Sequence, residues 1–101
     1  MLTKEQKIDG VKQALSFARD KEDLYAQGVK EAYVSVSLRE VLYVLGYEAD
    51  EADEIIEFCA SRGFDYCIDP MIRNTRSGEK PERFACVWGI DQLRSRLEWV
   101  I

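Results

Sequence analysis

Val36-Ser-Leu-Arg-Glu-Val-Leu-Tyr-Val-Leu-Gly46-Tyr-Glu-Ala-Asp50-Glu-Ala-Asp-Glu-Ile-Ile-Glu-Phe-Cys-Ala-Ser-Arg-Gly63-Phe64 is the stretch whose reading decides the fold. Its pattern predicts two short amphipathic helices around a tight turn. Ser37 is placed to cap the first, with Glu40 three residues on completing a capping box. Leu38, Val41, Leu42 and Leu45 fall at i, i+3, i+4 and i+7, one apolar helical face. Gly46 ends that face, since glycine enters the left-handed region without a Cβ clash. The second helix is expected from about Asp50 to Ser61. Ala52, Ile55, Ile56 and Cys59 form its apolar stripe, and Gly63 its terminator. Two helices joined by so short a turn make a helix-turn-helix unit.

Working outward, Thr3 to about Asp20 reads as a helix opened by a Thr3–Gln6 capping box. Ile8, Val11, Ala14, Leu15 and Ala18 form its buried stripe, widened by Phe17. Gly10 weakens this helix by about 1 kcal/mol relative to Ala and marks a close helix contact. Asp20 to Gln27 reads as a further short helical turn around Leu24-Tyr25-Ala26, closed by Gly28. Ala32 to Val36, β-branched and partly alternating, suits a short strand leading into the Ser37 cap.

After Gly63 the period becomes strand-like. Phe64 to Ile72 and Arg83 to Trp88 read as a β-hairpin with a polar, charged tip, Pro70 marking an edge or bulge. Phe84 and Trp88 are expected in the core, while Tyr43, Tyr47 and Phe58 fit either core or surface. Asp91 then caps a closing helix that faces Leu93, Leu97 and Val100 inward.

The 101 residues are expected to form one α+β domain. No run reaches membrane-spanning length and no signal-peptide pattern opens the chain, so a cytoplasmic protein is expected. Three cysteines without Cys-x-x-Cys spacing suit buried free thiols, with a Cys67–Cys86 disulfide as the alternative. The absence of histidine removes Ser-His and Cys-His dyads and the commonest metal ligand. No Gly-rich phosphate loop or calcium-loop pattern is present. Catalysis is therefore the least supported reading, and no catalytic residue, metal or cofactor is expected.

Charge is unevenly placed. Of the nineteen acids behind the net −5, six (Glu48, Asp50, Glu51, Asp53, Glu54 and Glu57) lie in one ten-residue window that holds none of the fourteen bases. The remainder carries thirteen acids against fourteen bases, a net of +1. A solvated helix face explains such a cluster blandly; a concentrated field also steers a basic partner.

In element order the chain resembles the winged helix-turn-helix superfamily: N-terminal helix, short strand, helix-turn-helix, two-stranded hairpin, closing helix. Ser37 to Gly46 matches the supporting helix, Asp50 to Gly63 the recognition-position helix, and Phe64 to Trp88 the wing. The resemblance implies a two- to three-stranded small sheet and DNA binding through the second helix. Yet its groove-facing positions are the six acids, which phosphates repel. DNA contact would instead fall to a basic wing formed by Arg62, Arg73, Arg76, Lys80 and Arg83, or to a homodimer built through the first and last helices. The favoured reading is a non-catalytic module that binds a basic protein or nucleoprotein through its acid helix. In size, charge and lack of catalytic residues it resembles phage-encoded inhibitors of host defence, such as anti-CRISPR proteins.

Overall fold

A computed structural model describes residues 1–64 and 87–101. They form four α-helices and a two-stranded antiparallel sheet, an α+β arrangement. In chain order these are α1 (Lys4–Ala26), a 3-10 turn (Lys30–Ala32), β1 (Ser35–Val36), α2 (Leu38–Val44), α3 (Ala49–Ser61), β2 (Trp88–Gly89) and α4 (Ile90–Val100).

The first helix starts where its capping box places it. Thr3 Oγ1 accepts the Gln6 N–H at 3.1 Å, and Gln6 Oε1 accepts the Thr3 N–H at 2.8 Å. Its end differs from expectation: the helix runs unbroken through Asp20 to Ala26 before Gly28 turns the chain at φ +101°. The charged segment is held by partners distant in sequence. Arg94 Nε of α4 donates to Glu22 Oε2 at 2.6 Å, and the Tyr25 ring lies 5.2 Å from that of Tyr33.

The expected strand at 32–36 shrinks to Ser35–Val36, because Ala32 is buried in the 3-10 turn. β1 pairs with β2 in the register Ser35↔Gly89 and Val36↔Trp88. The Ile90 N–H extends the pairing to the Val34 carbonyl at 3.0 Å. The closing helix is capped by Gly89, not Asp91; the Asp91 carboxylate instead accepts the Tyr33 hydroxyl at 3.0 Å.

The helix-turn-helix pair forms as the periodicity requires. Ser37 Oγ accepts the Glu40 N–H at 3.1 Å, the hydroxyl half of the expected box. Gly46 takes φ +98° between the helices and Gly63 takes φ +89° after the second. Leu38, Val41 and Leu42 of α2 and Ala52, Ile55, Ile56 and Cys59 of α3 are buried; Leu45 is half-buried. They meet Val11, Ala14, Leu15 and Ala18 of α1 and Ile90, Leu93, Leu97 and Val100 of α4 in one core. Ile8 is only half-buried, at the edge of the α1 stripe. A Cβ on Gly10 would lie 2.6 Å from Ile55 Cδ1, so this glycine lets α1 pack closely against the Ile55 side chain of α3.

Trp88 is buried and meets Phe64 edge-to-face, with ring centroids 6.4 Å apart. Tyr47 and Phe58 pack partly against the core, whereas Tyr43 is exposed. The hairpin strands and tip expected between Phe64 and Trp88, with Phe84, Cys67 and Cys86, lie outside the described residues.

Candidate functional site

The acid helix is set by its own caps and by its neighbours. Glu48 occupies the N-cap position, and Glu51 Oε1 accepts the Glu48 N–H at 3.0 Å. Asp50 and Glu51 in the first turn also complement the partial positive charge of the helix N-terminus. At 3.6 residues per turn, Asp50, Asp53, Glu54 and Glu57 fall within about 100° of arc, opposite the stripe of Ala52, Ile55, Ile56 and Cys59. The packing that buries the second stripe therefore turns the first outward. Asp50, Asp53 and Glu57 are exposed, and Glu51 and Glu54 are half-buried.

The face is less uniform than its sequence. Asp53 Oδ1 receives Arg39 Nη2 of α2 at 2.5 Å, and the Arg39 guanidinium lies 6.0 Å from the Tyr43 ring centroid while its Nη1 donates to the Tyr43 hydroxyl. Glu54 Oε1 accepts the Leu2 N–H at 3.1 Å, joining the N-terminus to α3. A shallow groove beside the stripe is lined by Lys7, Asp53, Glu54, Glu57, Phe58 and Ser61. Arg39 and Lys7 thus border the acids with positive charge, and Glu51 and Glu54 have structural duties as well as charge. The sequence conceals these ties, because Arg39 and Leu2 lie 14 and 52 positions from their partners.

Of the five basic residues read as the alternative nucleic-acid surface, Arg62 alone is described. It is exposed at the end of α3, its guanidinium 5.1 Å from the Phe58 ring centroid. Arg73, Arg76, Lys80 and Arg83 lie outside the described residues.

Among the described residues the buried thiol is that of Cys59. It is a free thiol with no exposed surface, and burial pushes its pKa up to about 12. Such a thiol is a core side chain and a poor nucleophile at neutral pH. Among the described residues no group of three or more His, Cys, Asp or Glu side chains is arranged to hold a metal ion, and no helix is long and apolar enough to cross a membrane.

No family model, curated protein or solved structure matches this chain.

Proposed function

We propose that this protein is a winged-helix-like interaction module, without catalytic chemistry of its own, whose α3 acid face docks on a basic surface of a protein or nucleoprotein. The observation that carries the reading is the outward stripe of Asp50, Asp53, Glu54 and Glu57 on a helix fixed from behind by α1 and α2. Because the helix is already packed and capped, aligning these carboxylates needs little ordering on binding. A concentrated field of one sign accelerates encounter with a surface of the other sign and disfavours nucleic acid.

The winged-helix part of the reading is supported by the α1–β1–α2–α3 order and by antiparallel pairing of β1 with β2 immediately before α4. Occupation of a cationic groove built for nucleic acid, as an anti-CRISPR-like inhibitor of host defence would do, suits a small acidic module; this biological setting rests on analogy.

The test is a low-salt pull-down from lysate beside fluorescence anisotropy on mixed-sequence duplex DNA. A basic partner recovered by wild type and lost with Asp50→Lys/Glu57→Lys supports the reading. Binding to DNA that weakens steeply with salt, and survives that double reversal, contradicts it and transfers the function to the basic residues Arg62, Arg73, Arg76, Lys80 and Arg83.

A further inference from the structure

We draw no further inference here: the strongest candidate, the exposed Trp99 on the outer face of α4 beside the shallow groove lined by Gly63, Gln92, Ser95 and Arg96, is an unpartnered apolar face, and nothing in the described structure shows what covers it.

Discussion

Arg39 Nη2 and Asp53 Oδ1 meet at 2.5 Å across the helix-turn-helix, so the acid face of α3 carries its own counter-charge from α2. The Arg39 side chain is 19% exposed and that of Asp53 56% exposed, which places the pair in partly screened surroundings. Arg39→Ala is expected to lower stability by about 1 kcal/mol, combining a modest ion pair with loss of the packed alkyl stem. Arg39→Met, which keeps most of the stem, should recover part of that loss. Thermal denaturation followed by circular dichroism checks both variants. Removing Arg39 also makes the face more negative, so binding of a basic partner at low salt should be retained or strengthened.

Gly10 and Ile55 make a second, sharper relationship. Gly→Ala inside a helix ordinarily stabilises by about 1 kcal/mol. Here the new methyl would sit 2.6 Å from the Cδ1 of the fully buried Ile55. Gly10→Ala should therefore lose the usual gain, because the Ile55 side chain must shift within the core to admit the methyl. Ile55→Val removes that Cδ1 and alone should cost about 0.5–1.5 kcal/mol. The double variant should be more stable than the sum of the single effects predicts. Chemical denaturation of the four proteins measures the coupling; strict additivity would mean that the helices do not meet at these residues.

Burial of Cys59 gives a pH dependence of defined sign. The folded thiol ionises near 12, against an ordinary value of 9.0. The folded state thus holds its proton where the unfolded chain releases it. This contribution is fully present below pH 9 and is lost as pH rises from there toward 12. Cys59→Ala should flatten the alkaline limb of the stability curve relative to wild type while lowering stability at neutral pH. In native protein at pH 8, the Cys59 peptide should resist alkylation until denaturant is added, as read by mass spectrometry.

Arg94 joins α4 to the end of α1 through Glu22 at 2.6 Å, and within α4 it also holds Glu98 at 3.1 Å. Hydrogen bonding and charge from Arg94, helped by Arg19, hold the Glu98 carboxyl below its usual range. Its contribution is present above the ordinary carboxylate range and fades as pH falls through the lowered folded value. Arg94→Ala should shrink that acid dependence. It should also reduce amide hydrogen-exchange protection over the last turn of α1, from Glu22 to Ala26, more than over Val11 to Ala18.

The helix-turn-helix was legible because its signals are local. Ser37 caps within three residues, the apolar stripes repeat at helical spacing, and Gly46 and Gly63 stand where the backbone must turn left-handed. Gly10 was legible as a contact for a similar reason, since a glycine within a helix pattern is disfavoured without one. The end of α1 was not, because Asp20 to Ala26 lacks a continuous apolar stripe and depends on Arg94 and Tyr33. Asp91 has the composition of a cap, but its carboxylate is taken by Tyr33 and Gly89 serves instead. The acid face was visible as charge; its tethering by Arg39 and Leu2 needed the fold to bring them together.

If α3 is the proposed docking surface, the position of its charge and not the net charge of the protein should govern binding. The direct measurement compares two double variants of equal net charge in the same low-salt pull-down. One is Asp50→Lys/Glu57→Lys on α3; the other is Asp20→Lys/Asp23→Lys on the exposed side of α1. Both must show the wild-type circular dichroism spectrum. The α3 variant is expected to lose the partner by about tenfold or more in affinity, while the α1 variant keeps it within about threefold. Equal loss in both, or retention in both, would contradict it.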